Sequence, residues 1–431
     1  MQASLEKIFQ LKSHSTDIKT EATAGITTFM TMAYIIIVQT SLMEAAGMDG
    51  GAVTTVTALL AGVFTLAMGL YTNLPFALAP AMGSNAFFAF TLVAGGLVTW
   101  QEGIGMVFVS GIIFLLLTML GLREVIVKLI PKNVKIAIGS AVGFYIVLIG
   151  FKSANFMQIT EGNISIGNLG EATTQLGLIG LAITVILMAN KVKGGLLLAM
   201  LVTTIIGIPM GITTVPDSVM SLPPSIEPIA FKLEVLSILK LSLFPLMFTF
   251  FVGDFFSTLG TLLGVSSKAG LLDEKGNLPH IEKPFLVDAI ATVVGALLGS
   301  TVVTTYIESA AGVEEGGRTG LTSVFTAICF LLTLLFTPIA MMIPGVATAP
   351  ALIIIGLLML SGLKDIEYGD FTEAFPAFAT IIFTAYTSSI SNGISIGIIS
   401  YAFTKIVTGR FKDLHWGIIL LCIPLIFYFI V

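Results

Sequence analysis

The sequence predicts an all-α polytopic membrane protein with about 14 transmembrane spans in a 7+7 inverted repeat. First, 56% of its 431 residues are hydrophobic and only 10% are charged, whereas ordinary chains carry about 25% charged residues. Second, the apolar residues recur in runs close to the ~20 residues that a helix needs to cross a bilayer. Third, one such run in each half is broken at a matching place, a pattern typical of transporters.

Hydropathy places seven spans on either side of a proline-rich linker, residues 213–239. The first half, 25–212, has spans at roughly 25–45, 52–71, 77–94, 103–121, 134–153, 174–190 and 194–212. The second half, 240–408, has spans at roughly 240–265, 285–300, 301–313, 319–342, 347–362, 374–390 and 392–408. Residues 1–24 and 409–431 flank the two halves. The apolar run 415–431 is either a fifteenth span or a helix lying on the surface.

The basic residues predict the orientation. With a cytoplasmic N-terminus, all but Lys152, Lys232 and Lys240 of the 20 Lys and Arg residues fall on the cytoplasmic side, as the positive-inside rule requires. Seven spans per half make the second half enter from the opposite side, so the repeat is inverted. Weak internal similarity agrees, because Ile130-Pro131 opens the fifth span and Ile343-Pro344 opens the twelfth. We expect a multi-pass protein of the cell membrane.

A carboxylate stands at the centre of the apolar run Phe244–Val265. This residue, Asp254, costs ~2.5–3.5 kcal/mol in a membrane span, so intramembrane carboxylates usually have a function. Ser257 and Thr258 follow at helical spacing and extend a polar stripe along one face. We predict that Asp254 binds substrate or a proton. The structural alternative is a protonated Asp bonded to a neighbouring helix.

The third and tenth spans are broken. Pro75, Pro80 and Gly83 interrupt the third, and the β-branched run 301–305 favours an extended chain in the tenth. Non-helical backbone at membrane depth survives where it is buried in protein or lines a cavity. Asn85 and Glu308 lie where short helices would resume, so both are predicted to bind substrate, and either carboxylate could also exchange a proton. The alternative for each is helix capping.

The remaining features are less specific. Phe87 could stack on a flat ligand, although core packing is the commoner role of such a residue. Thr28 places a hydroxyl along the first span, where helix packing is the alternative. Cys329 and Cys422 lie inside apolar runs, which favours buried thiols over metal ligands. The chain carries no phosphate-binding loop and no metalloprotease motif. We therefore expect no enzymatic activity, cofactor, metal or nucleic-acid partner.

Four strings are similar to motifs of a known family. They are GITTFMTMAYIIIVQ, LPFALAPAMGSNAFFAF, FVGDFFSTLGTLLGV and TTYIESAAGV. In this order, with PAFATIIFTAYTSSISNGISIG near the end, they resemble the AzgA-like purine permeases of the nucleobase:cation symporter family. The resemblance implies a short strand and a half-helix in spans 3 and 10. It also implies a core domain of spans 1–4 and 8–11, a gate domain of spans 5–7 and 12–14, and in many members a homodimer.

The resemblance also implies a function, which is proton-coupled import of adenine, guanine or hypoxanthine. It assigns the site carboxylates to Asp254 and Glu308, and the third-span Gly-x-Asn to Gly83 and Asn85. At Ser84 and Ser257 the sequence departs from the patterns GLNAFF and DFFDT of many members, so these two positions bear on which purine is preferred. The alternative is a transporter of the same fold for xanthine, uracil or an inorganic anion.

Overall fold

The computed structural model describes residues 2–121, 131–160, 163–274, 277–387 and 389–430. Four residues used in the predictions above, Arg123, Lys128, Ile130 and Lys275, lie outside this part of the chain. Within it, nine helices are long and apolar enough to cross a membrane. The others that complete the two halves are shorter or are broken by strands.

The first half follows the hydropathy pattern closely. Span 1 consists of Ile18–Met32 and Tyr34–Ala45, and span 2 is Gly50–Thr72. Span 3 is the strand β1, Leu78–Pro80, followed by the helix Met82–Ala86 and the π-helix Phe87–Val93. Spans 4 to 7 are Trp100–Met119, Lys132–Ser153, Ala172–Ala189 and Gly195–Gly207. A hairpin of β2, Met157–Thr160, and β3, Asn163–Ile166, follows span 5.

The second half repeats this order. Spans 8 and 9 are Phe244–Ala269 and Glu282–Leu297. Span 10 is the strand β4, Val303–Thr305, followed by the short helix Ser309–Glu314. Span 11 is Gly320–Thr333 with Thr337–Met341, and span 12 is Gly345–Met359 with a 3-10 extension, Leu360–Asp365. Spans 13 and 14 are Phe371–Thr387 and Ile390–Val407. A helix at Gln2–Phe9 precedes the first half, and the tail helix is Trp416–Ile430.

The two broken spans meet at their strands. β1 pairs antiparallel with β4, in the register Leu78 to Thr305, Ala79 to Thr304 and Pro80 to Val303. These residues are buried, so the ladder satisfies backbone groups that would otherwise lack partners inside the membrane. The strands predicted in spans 3 and 10 are therefore confirmed. Their pairing joins the two halves of the chain at one point.

The spans pack as two groups. Spans 1, 2 and 4 contact one another or spans 8, 9 and 11, and the strand-bearing spans 3 and 10 lie among them. Span 5 packs against spans 12 and 13, span 13 against span 14, and spans 6 and 7 against each other and span 12. Most contacts thus fall within one of two sets of spans, 1–4 with 8–11 and 5–7 with 12–14.

Span 1 begins earlier than hydropathy indicates because it includes a buried carboxylate. Glu21 is fully buried and accepts hydrogen bonds from the backbone of Arg318 (2.9 Å) and Thr322 (3.0 Å) and from the Thr322 hydroxyl (2.6 Å). Both N–H groups lie at the start of span 11, where a carboxylate is stabilising. Glu21 therefore fastens the beginning of span 1 to the beginning of span 11.

The tail helix Trp416–Ile430 lies along span 14. Near its start, the Tyr401 hydroxyl donates to the carbonyl of Asp413 over 3.2 Å. Near its end, Tyr428 interacts with Ser389, which caps the first turn of span 14. The helix also contacts span 8 and the turn Leu241–Leu243 that precedes it. It thus runs antiparallel to span 14 over nearly the whole length of that span.

Candidate functional site

A cavity of about 270 Å³ lies beside the β1–β4 pair. Spans 1, 3, 8 and 10 line one side of it, and spans 5, 12 and 14 line the other. The two sets of spans therefore meet across this cavity. Its polar lining comes mostly from hydroxyl groups and one carboxylate, contributed by Tyr34, Ser84, Ser257, Thr261, Thr304, Thr305, Tyr306 and Glu308.

Glu308 is the carboxylate of the cavity. The Tyr34 hydroxyl donates to its Oε1 over 2.6 Å, a length typical of an O–H bond to a charged acceptor. Tyr34 is 1% exposed and sits at the break of span 1, directly after Ala33. Although Glu308 holds the N-cap position of the short helix Ser309–Glu314, its side chain makes no capping bond. Its carboxylate is therefore turned to the cavity and to Tyr34.

Aromatic rings form the walls of the cavity. Phe87 of span 3 packs on Phe250 with ring centroids 5.2 Å apart, and Phe256 of span 8 lies on the lining as well. Lys135 also lines the cavity and places its ammonium group 5.3 Å from the centroid of Phe256. Lys135 lies in the first turn of span 5. The cavity thus has a cation at one end, on the side of the membrane from which span 5 starts.

Five of the nine predicted site residues line this cavity, namely Gly83, Ser84, Phe87, Ser257 and Glu308. A Cβ atom at Gly83 would come within 2.4 Å of Val142 Cγ1 of span 5. A glycine is needed there because the half-helix of span 3 approaches span 5 this closely. Sequence reasoning missed Tyr34 and Lys135. Tyr34 belongs to the string GITTFMTMAYIIIVQ, where its phenol follows a threonine-rich stretch of span 1. This run of hydroxyl groups inside an apolar span could have identified Tyr34 as a site residue.

Asp254 lies behind the cavity, in a second polar layer. It is 1% exposed and is absent from the lining residues, unlike its neighbour Gly253. The Thr292 hydroxyl of span 9 donates to its Oδ2 over 3.1 Å. The fully buried Asp288, also on span 9, interacts directly with the Asp254 carboxyl group. The structure therefore places Asp254 between spans 8 and 9, one layer away from Glu308.

The second layer is held together by threonines. Thr258, a predicted site residue, donates to Asp288 Oδ2 over 2.9 Å, and its Oγ1 lies 2.7 Å from Thr304 Oγ1. Each carboxyl group keeps one buried oxygen, Oδ1, that receives no hydrogen bond from the described residues. Two adjacent buried carboxylates repel strongly, and such pairs commonly hold a shared proton. Sequence reasoning missed Asp288, although the rule that singled out Asp254 applies equally to it.

Asn85 and Thr28 also lie off the cavity. Asn85 is fully buried and its Oδ1 accepts a hydrogen bond from the Thr301 hydroxyl, which lies 3.5 Å from Gln39 Nε2. The N-cap of the short helix is Ala81, so Asn85 does not cap it. Thr28 packs on Gly312, where a Cβ atom would come within 2.1 Å of its hydroxyl. Both residues join the broken spans to span 1.

Comparisons with known proteins agree with this architecture. The model of the Permease family matches residues 19–396. The chain is 41% identical to the adenine permease AdeP of Escherichia coli over 423 residues, which cover 98% of this chain and 95% of that one. It is 38% identical to the guanine/hypoxanthine permease PbuO of Bacillus subtilis over 416 residues, covering 95% and 96%.

A solved structure shares the fold. The transmembrane domain of the cyanobacterial bicarbonate transporter BicA superposes with a TM-score of 0.62 over 88% of this chain and 97% of that one. At 18% identity, this likeness concerns the fold alone. It confirms the predicted class of a helical, multi-pass membrane protein with a 7+7 inverted repeat. By its sequence, the chain belongs to the Permease family of membrane transporters, as the resemblance to the purine permeases predicted.

Proposed function

We propose that the protein is a secondary active transporter that imports purine nucleobases by proton symport. The observation that carries this proposal is the cavity with Glu308 and two aromatic rings on its walls. Its volume of about 270 Å³ is close to the lower end of small-molecule sites, ~300–1,000 Å³. The relatives that match nearly the whole chain are named adenine permease and guanine/hypoxanthine permease, which supports a purine as the substrate.

Each part of the cavity fits a property of a purine. The carboxylate of Glu308 can accept hydrogen bonds from ring N–H or exocyclic amino groups. Phe87 and Phe256 offer flat faces for stacking on the bicyclic ring. Ser84 and Ser257 add hydroxyl groups that can either donate or accept, and so can adapt to an amino or a carbonyl substituent. We therefore assign to these two serines the choice among purines.

We assign proton coupling to the second layer and to Glu308. Among the described residues, Asp254 and Asp288 interact with each other and with threonines rather than with a cation. One proton is therefore enough to relieve the repulsion between the two carboxylates, and loss of that proton restores the repulsion. A carboxyl pair of this kind can take up a proton on one side of the membrane and release it on the other. Substrate and proton would then bind in adjacent layers.

Transport would proceed by movement of one set of spans against the other, with spans 1–4 and 8–11 as the core domain and spans 5–7 and 12–14 as the gate domain. Two hydrogen bonds join these sets in the half of the membrane farther from the N-terminal segment. They are Thr91 to Tyr145 and Thr249 to Ser391, each 2.7 Å long. With the N-terminus in the cytoplasm, this arrangement corresponds to a transporter closed to the outside.

Uptake of labelled adenine by cells that express the chain tests the proposal. We expect saturable uptake that collapses with a protonophore and is inhibited by the transported purines among adenine, guanine and hypoxanthine. Competition by xanthine or uracil alone would favour the alternative substrates. Uptake that does not saturate would indicate a channel. Accumulation that survives the protonophore but needs sodium would contradict proton coupling while leaving the substrate assignment intact.

A further inference from the structure

Thr304 is the point where the cavity touches the carboxyl layer. It is the central residue of β4, opposite Ala79, and it lines the cavity although it is only 3% exposed. Its hydroxyl oxygen lies 2.7 Å from that of Thr258. Since Thr258 donates to Asp288 Oδ2, the proton of the Thr304 hydroxyl points to Thr258. An ordered chain of donors thus leads from the cavity to Asp288.

The other side chains that bond the carboxyl pair do not reach the cavity. Thr292, which donates to Asp254, lies within 2.9 Å of the carbonyl of Val303 and is not a lining residue. Thr258 is fully buried and is not a lining residue either. Among the described side chains that are hydrogen-bonded to Asp254, to Asp288 or to Thr258, Thr304 is therefore the one that also faces the cavity.

Few other charges face the pair. Span 2, which packs on span 9, contains no Asp, Glu, Lys, Arg or His. Span 4, which packs on spans 8 and 9, has only Glu102, and this residue is bonded to Thr99 in the first turn. On span 10, Glu308 is engaged by Tyr34. On span 5, which packs on span 8, Lys135 lines the cavity with its ammonium group 5.3 Å from the centroid of Phe256. A proton on the pair is thus governed by the two carboxyl groups and by access through the threonines.

We propose that the hydroxyl group of Thr304 is the proton gateway between the water of the cavity and the Asp254–Asp288 pair. A hydronium ion in the cavity gives its proton to Thr304 Oγ1, which passes its own proton to Thr258 Oγ1. Thr258 in turn passes its own proton to Asp288 Oδ2. Both threonines end as neutral hydroxyl groups, the hydronium ion becomes water, and Asp288 becomes a carboxylic acid. This inference rests on the proposed proton symport.

The test compares Thr304→Val with Thr304→Ser in proteoliposomes. Two rates are measured for each variant, namely adenine accumulation driven by an imposed pH gradient and adenine counterflow at equal pH. Counterflow exchanges bound substrate without net proton movement in each cycle. We expect Thr304→Val to lower the ratio of driven accumulation to counterflow by at least about tenfold, since loss of a positioned proton-transfer group typically costs ~10²–10⁴. Thr304→Ser keeps a hydroxyl and should keep the wild-type ratio.

Thr184→Val is the matched control, because within the described part of the chain the Thr184 hydroxyl bonds only the Gly180 carbonyl on span 6. Its ratio should equal that of the wild type. An unchanged ratio in Thr304→Val, with both rates reduced together or both normal, would overturn the gateway. Wild-type counterflow without pH-driven accumulation would overturn proton coupling and the gateway but not the substrate. No counterflow in the wild type would refute the proposed function itself, and the gateway with it.

Discussion

Tyr34 and Glu308 are joined by a 2.6 Å hydrogen bond that connects the break in span 1 to the break in span 10. Both residues line the cavity, so the phenol occupies one oxygen of the carboxylate and leaves the other for a ligand. The bond also holds the carboxylate in one orientation. A substrate therefore meets a fixed acceptor, which lowers the entropy that binding must overcome.

Tyr34→Phe should weaken substrate binding more than it slows turnover. A hydrogen bond to a charged group contributes ~1.5–3 kcal/mol, so KM for adenine should rise by about tenfold or more. Uptake kinetics measure this effect. Tyr401→Phe is the control, because that hydroxyl bonds the Asp413 carbonyl away from the cavity. A KM in Tyr34→Phe that matches the control would show that Glu308 needs no positioning by Tyr34.

The two layers predict different defects for their carboxylates. Glu308→Gln keeps the shape but loses the charged acceptor, so adenine uptake should be abolished or strongly impaired through weaker binding. Asp254→Asn removes a member of the buried pair, so it should abolish uptake or impair it strongly through lost coupling. Labelled adenine uptake, corrected for the amount of protein in the membrane by immunoblot, checks both. Normal uptake by both variants would contradict their assignment.

The hydrogen bonds of Thr91 to Tyr145 and of Thr249 to Ser391 should hold the cavity closed on the face away from the N-terminal segment. Tyr145→Phe and Ser391→Ala each remove one bond worth ~1 kcal/mol, which corresponds to about a fivefold shift toward the opened state. Phe90 directly precedes Thr91 in the π-helix of span 3 and is half-buried. In a chain whose Cys329 and Cys422 are replaced, a cysteine at position 90 should therefore react faster with an impermeant maleimide added outside when both bonds are removed than when both are present. If Tyr145→Phe and Ser391→Ala together leave the maleimide reaction rate unchanged, the two bonds do not hold the cavity closed.

The tail helix should be a fifteenth crossing. Its 15 residues follow span 14 from the level of Tyr401 to the level of Ser389, and none of them is charged. Reporter fusions after residue 410 and after residue 430 should therefore lie on opposite sides of the membrane. Each site is fused in turn to green fluorescent protein and to alkaline phosphatase. The fusion after residue 410 should be fluorescent, and the fusion after residue 430 should have phosphatase activity. Identical behaviour of the two fusions would place the helix on one surface.

The sequence was sufficient for the architecture because apolar runs and breaks are local properties of the chain. It placed both broken spans and their strands correctly, and it identified Glu308, Ser257 and Gly83 as cavity residues. It could not separate the two layers. Asp254 and Ser257 are three residues apart on one helix, so sequence spacing puts them on one face, whereas the packing of span 9 draws the Asp254 carboxyl group behind β4. Asp288 entered the site only through that packing.

The β1–β4 pair has a consequence for redesign of the site. Its ladder is built from backbone groups of three residues in each strand, so it does not depend on which side chains those residues carry. Thr305, which lines the cavity and pairs with Leu78, can therefore be exchanged for residues of similar volume while the strands stay paired. Because main-chain pairing holds the strands in place, the side chains that line the pocket can be substituted one at a time to change which substrate binds. This part of the molecule is where directed evolution toward other heterocycles should begin.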